Sequence, residues 1–275
     1  MAAPLAVIDV WDTIISFVDP GLLRVAALVC RPLTAPAQRR LFHEIVIENR
    51  GEGESSPSQL LANALSTSPH LVKYIKRLDI DSSAPKCYSI LSTIQWSHLH
   101  KIHLKNIGSV DPSVEGSIGL LLRSQSLQSL HLAVGAVETS KTQTEFLYRT
   151  VEACSATRIV SLVINDFHFV PGQHFIDLGG SQPKQRPTLL HLHLLRCSGI
   201  ASLLRSTFDL SSLHKLGCCG DSWMPDFVEL MRDAGELVEH VTVSPHDDSL
   251  KGINLSSLFP SLNTIIATRW PGTSV

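Results

Sequence analysis

Eight short segments of this chain repeat one apolar pattern at a near-steady step. Each reads apolar-x-x-apolar-x-apolar. The first four are Ile75, Leu78, Ile80; Leu99, Ile102, Leu104; Leu127, Leu130, Leu132; and Ile159, Leu162, Ile164. The last four are Leu189, Leu192, Leu194; Leu213, Leu216, Cys218; Val238, Val241, Val243; and Leu262, Ile265, Ala267. Their first residues are separated by 24, 28, 32, 30, 24, 25 and 24 positions. On a strand, alternate side chains point to opposite faces. The last two apolar residues of each segment therefore share one face, and the residue between them points to the other. One such strand cannot bury its apolar face alone, so the repeats must stack.

The pattern is that of the strand segment of a leucine-rich repeat, LxxLxLxxN/C, with a usual period of about 20–29 residues. The two longest steps imply insertions, placed at 134–141 and 167–187; the second is rich in Gly, Pro and Gln. Helical spacing of apolar residues follows the strands at 88–95, 112–123, 142–153, 200–208 and 225–234. The expectation is an α/β fold, an irregular leucine-rich-repeat solenoid over 71–275 with one parallel sheet. Leu130, Leu132, Leu192 and Leu194 should be buried.

Residues 1–47 differ. Val10, Trp11, Ile14, Ile15 and Val18 recur at helical spacing, and Asp19-Pro20-Gly21 breaks that helix. Leu22 to Val29 reads as a second short helix. A third begins near Pro36, with Pro in its first turn. Ile45-Val46-Ile47 reads as a strand leading out, and 48–70 as a linker and first helix with a polar, Gly-rich loop at 50–58. Three short helices make too small a core for independence, so they should dock on the repeats, on a partner, or on both.

Three pieces of this head, Asp9 to Val18, Leu22 to Arg31 and Arg40-Leu41-Phe42, resemble an F-box of the fungal type that precedes degenerate leucine-rich repeats. Its most specific piece is Leu28-Val29-Cys30-Arg31, followed about ten residues on by Leu41-Phe42. Where the family has Leu-Pro the chain has Ala6-Val7, and Leu33 replaces the usual Trp. The resemblance implies docking on the Skp adaptor of a cullin-based ubiquitin ligase, with Val10, Trp11, Ile14, Ile15, Leu22, Leu23, Val29 and Leu33 as adaptor-binding candidates. Lacking Leu-Pro and Trp, the chain should bind more weakly than a usual F-box.

Outward strand residues would line the concave face, the common binding surface of stacked repeats. The middle position gives Asp79, His103, His131, Val163, His193, Gly217, Thr242 and Ile266, with His191 and His240 flanking. Asp79, His103, His131, His191, His193 and His240 are the candidates for contact with a protein substrate. His103 and His131 fall on adjacent strands, about 4.8 Å apart, and could touch. Imidazoles invite a metal, but no Asp, Glu or Cys completes a tetrahedral set, so none is expected. The three central histidines should be solvent-accessible.

No GxSxG, Walker A, HExxH or GxGxxG motif is present. The six cysteines lack zinc spacing and read as buried thiols in a reducing compartment. A net charge of −2 gives no footprint for nucleic acid. No apolar run approaches the ~18 residues of a spanning helix, and Asp9 and Asp12 argue against a secretory signal.

The sequence thus points to a non-enzymatic, cofactor-free, cytoplasmic or nuclear F-box subunit whose repeats recruit a protein for ubiquitination. The alternative is a repeat scaffold whose head only caps the solenoid. A weaker one is a metal-dependent or hydrolytic enzyme using the concave histidines. Exposed apolar residues on the first two helices would favour the ligase subunit; their burial against the first repeat would favour the cap.

Overall fold

The structure is a computed structural model. It describes residues 5–29, 31–48, 57–81, 88, 91–107, 112–134, 141–154, 157–167, 186–219, 225–243 and 254–267. Most of both expected insertions, residues 89–90 of the expected helix at 88–95, and Cys30 lie outside these residues.

All eight repeated segments form strands of one sheet. β1 (Glu44–Ile47), β2 (Arg77–Asp81), β3 (Lys101–Lys105), β4 (Ser129–Ala133) and β5 (Ser161–Asn165) are followed by β6 (His191–Leu195), β7 (Lys215–Cys219), β8 (His240–Val243) and β9 (Thr264–Ala267). The nine strands pair in chain order. Every pairing is parallel. One more strand joins than the repeat predicted. The segment at 45–47 does not merely lead out of the head; β1 pairs with β2 and its Ile47 enters the main core. Residues 44–47 are thus a strand of the sheet.

The register aligns the repeats position by position. Leu78, Ile102, Leu130, Leu162, Leu192, Leu216, Val241 and Ile265 form one ladder. All but Ile265 are buried, as are Leu132 and Leu194 in the neighbouring ladder. Each step is also marked in the backbone. The carbonyls of His43, Lys76, His100, Gln128, Val160, Leu190, His214 and Glu239 each accept two N–H groups from the next repeat. These carbonyls precede the strands, so the bifurcated bonds fix the register where each strand begins.

Strand exits are equally regular. Asn106, Asp166 and Arg196 each follow a strand directly and have positive φ of 52°, 59° and 50°. Asn and Asp tolerate that conformation; Arg does not favour it. The Arg196 guanidinium pairs with the Asp166 carboxylate. The next residues, Ile107, Phe167 and Cys197, turn back into the core.

Helices cover one face of the sheet. α4 (Pro57–Thr67), a 3-10 turn (Pro69–Tyr74), α5 (Pro112–Leu122), α6 (Lys141–Cys154), α7 (Ala201–Thr207), α8 (Pro225–Asp233) and α9 (Leu255–Leu258) follow the head. Pro57, Pro69, Pro112 and Pro225 each open an element, where the missing N–H costs nothing. Leu61 and Leu65 of α4, Ile118 and Leu121 of α5, Phe146 and Leu147 of α6, and Leu230 and Met231 of α8 complete the core with the strand ladders. α4 is the first helix expected within 48–70, and it packs on the main core.

The head is α1 (Leu5–Ser16), α2 (Pro20–Val29) and α3 (Arg31–Leu41). α3 begins five residues before the expected start at Pro36, which becomes an interior helix proline. That ring is buried beside Ala37, so packing offsets the lost backbone bond. Among the described residues no helix is long and apolar enough to cross a membrane.

Candidate functional site

Two surfaces carry the residues singled out by the sequence: the outer side of the head and the open face of the sheet. In the head, Ile15, Leu23 and Ala37 form a small buried core, with Leu33, Val18 and Leu41 packed on it. Asp19 Oδ1 accepts the Gly21 N–H at 2.7 Å, and Pro20 follows it, which starts α2. Arg40 donates to the carbonyls of Ile15 and, at 2.9 Å, Val18, so a cation closes the C-terminal end of α1. Arg39 pairs with Asp12 across the same two helices.

The adaptor-binding candidates therefore split. Ile15 and Leu23 are not surface residues; they hold the head together. Leu33 is half-buried on that core and Trp11 is half-buried. Val10, Ile14 and Leu22 are exposed. The side chain of Val29 lies outside the described residues. The structure adds three exposed residues that the sequence reading passed over: Phe17 (85% exposed), Val25 and Leu28 (88% exposed). Val10 and Ile14 on α1 and Phe17 in the turn just past its end follow i, i+4, i+7, and Leu22, Val25 and Leu28 follow i, i+3, i+6 on α2. Both are apolar helix stripes left in water. The spacing was visible in the sequence, but which stripe faces inward was not.

On the open face, the substrate-contact candidate Asp79 is buried, only 3% exposed. Its carboxylate accepts two bonds from Arg77, at 2.8 and 3.0 Å. Lys105 Nζ stands at 3.4 Å and His103 Nδ1 at 3.3 Å. Arg77 also reaches Glu44 at 3.1 Å. Burial works to raise the Asp79 carboxyl, but Arg77, with His103 and Lys105, outweighs it and holds the group below the usual carboxylate range. Asp79 is thus committed to its own neighbours.

The histidines face outward as their register requires, but they are not freely accessible. His103 and His131 stack, with ring centroids 3.7 Å apart and planes within 5°. A carboxylate only accepts, so His103 Nδ1 is the donor to Asp79 and Nε2 is the bare nitrogen. That Nε2 is sealed from water, with no hydrogen-bond partner among the described residues. Asn165 Nδ2 lies 2.8 Å from His131 Nε2. An amide nitrogen can only donate, so His131 Nε2 accepts and the ring is neutral. Burial, then the neighbouring His103 and Lys101, pull His131 down to about 4. His193 is lowered by burial alone, and its Nε2 is likewise sealed. Its ring lies over Gly217, where a Cβ would come within 2.3 Å of His193 Cδ2. No larger residue fits there without displacing the ring.

His191 and His240 border a groove of about 480 Å³ across β5 to β9, lined also by Ser161, Val163, Lys215, Gly217, Thr242 and Ile266. Burial, then Lys215 and His214, lower His191. Lys215 occupies the first outward position of β7, outside the middle positions and flanking histidines that the sequence pattern marks. Among the described residues, no three His, Cys, Asp or Glu side chains gather as metal ligands.

Together the elements define an α/β protein built on a nine-stranded parallel sheet in chain order. No family model matches the chain, and no curated protein matches it.

Proposed function

We propose that the chain is the substrate-recruiting F-box subunit of a Skp–cullin–F-box ubiquitin ligase, its head docking on the Skp adaptor and a leucine-rich-repeat solenoid presenting its open face to the target. Catalysis belongs to other subunits. This chain acts by proximity, raising the effective concentration of a substrate lysine near the ubiquitin-charged conjugate. The observation that carries this reading is the head surface. Its helices bury Ile15 and Leu23 and leave Val10, Ile14, Phe17, Leu22, Val25 and Leu28 in water. Apolar stripes of this kind are typical of a partner interface.

The test is calorimetric titration of the Skp adaptor into the intact chain. Binding is expected, and Leu22→Ala should weaken it by about thirtyfold, the effect of losing a central apolar anchor. No binding at tens of micromolar, by a chain that circular dichroism shows to be folded, would reject this reading. The second reading is a repeat scaffold capped by the head. Its support is that α3 runs directly into β1, which occupies the first edge of the sheet, while Phe42 and Ile45 pack on the main core. A folded chain that fails to bind the adaptor would be left with that role.

A further inference from the structure

The two halves of the open face differ in charge. On β2 and β3, Asp79 pairs with Arg77 and Lys105, and the stacked His103 and His131 fill the space beside them. That half is neutralised from within. From β5 to β9 the face opens into the groove of about 480 Å³, and among the described residues no Asp or Glu lines it. His191 is registered beside Lys215, and Lys215 beside His240. Neighbouring strands lie about 4.8 Å apart, so an anion over Lys215 reaches an imidazole on either side. The next row is Val163, His193, Gly217, Thr242 and Ile266, a floor with apolar side chains at both ends and the His193 ring covering Gly217. Glu239 approaches His240 Nε2 at 3.9 Å from one residue before it.

We propose that this groove binds an extended protein segment with clustered anionic side chains, which lie on the His191–Lys215–His240 row while its apolar side chains rest on the floor. The proposal deepens the recruiting role given above and rests on the open face receiving the target. Five strands span about 19 Å, room for about six residues of extended chain. A lone small anion would use Lys215 and leave the floor in water. Nucleic acid would find one lysine and, among the described lining residues, no Phe, Tyr or Trp ring on which to stack a base. Binding is linked to protons. Burial, then Lys215 and His214, disfavour a charged His191, and an anion placed beside it favours the charged form, so the bound state takes up a proton.

The experiment is fluorescence anisotropy of labelled eight-residue peptides with the intact chain, without adaptor. The peptides carry Asp and Glu, phosphoserine, Gln and Ser, or Lys at alternate positions between apolar residues; a single-stranded oligonucleotide is the fifth probe. One or both anionic peptides should bind at least about tenfold tighter than the neutral one, and tighter at about pH 6 than at about pH 7.5. Which anionic peptide binds tighter identifies carboxylate or phosphate as the anion. Lys215→Glu should weaken binding about tenfold or more, whereas Lys101→Glu, about 19 Å away on β3 and beyond screening range, should not. Equal binding of anionic and neutral peptides, no binding, preference for the oligonucleotide, or indifference to Lys215→Glu would overturn the proposal. Adaptor titration on the same preparation is independent of this groove. Adaptor binding without peptide binding defeats the groove alone.

Discussion

The stacked histidines give the open face a defined pH response. His131 is held near 4 in the fold by burial and by its neighbours, against about 6.5 in an unfolded chain. Between those values the unfolded state binds more protons, so stability falls as pH drops from about 6.5 toward 4 and is flat above. His131→Gln should flatten part of that slope, measured as urea midpoints at about pH 4.5 and 7. An unchanged slope would show that His131 does not titrate as its surroundings require. Asp79 acts lower down. Its folded value is depressed, so its contribution persists above the ordinary carboxylate range and is lost only as pH falls through that lowered value. A second residue-scale test concerns Gly217, whose added Cβ would strike the His193 ring. Gly217→Ala should cost about 1–3 kcal/mol, the usual range for overpacking. Combined with His193→Ala, most of that cost should vanish, because the clash needs both side chains. A full cost in the double variant would place the strain in the backbone instead.

At the scale of elements, α1 and α2 show how neighbouring residues divide between two tasks. Ile15 and Leu23 face α3, while Ile14 and Leu22 sit one residue earlier and face water. Leu23→Ala should therefore cost the head about 2–5 kcal/mol, as truncations of buried Leu do. Leu22→Ala should stay within about 0.5 kcal/mol of the parent. Amide hydrogen exchange in α1 to α3 separates the two: early exchange is expected for Leu23→Ala only. Equal protection in both variants would contradict the buried position of Leu23. The strands need no such choice. Their inward residues recur at period two, and a slip by one residue would expose every ladder at once.

The whole molecule is a row in which each strand touches only its sequence neighbours, so stability depends on position along it. Leu192 is 1% exposed in the middle of the row, whereas Ile265 holds the equivalent place on β9 and is 54% exposed. Leu192→Ala should cost about 2–5 kcal/mol and Ile265→Ala well under half of that. Native-state hydrogen exchange should show β9 opening first and β4 to β6 last. Simultaneous exchange of all nine strands would mean a single cooperative unit instead of a row with a weak end.

Much of this architecture was legible in the residues because it is written at short range. Alternating apolar residues in eight segments, at a step near that of one strand and its return, dictated the strands, their inward ladders and their order. Helix positions followed from apolar spacing, whereas Pro36, read as opening α3, lies inside it. Other features required the fold. Ile14 and Ile15, like Leu22 and Leu23, are adjacent apolar pairs, so periodicity alone could not say which member packs on α3. The place of β1 in the sheet depended on α3 ending where it does. Asp79 reads as an outward strand residue, yet it is buried because Arg77, Lys105 and His103 converge on it, two of them from a strand 24 residues further on. The groove on β5 to β9 likewise exists because His191, Lys215 and His240 come into register from three repeats while the acids fall elsewhere. Local periodicity fixes which face a side chain takes. Which charges meet across strands is set by tertiary register, and that register decided the site.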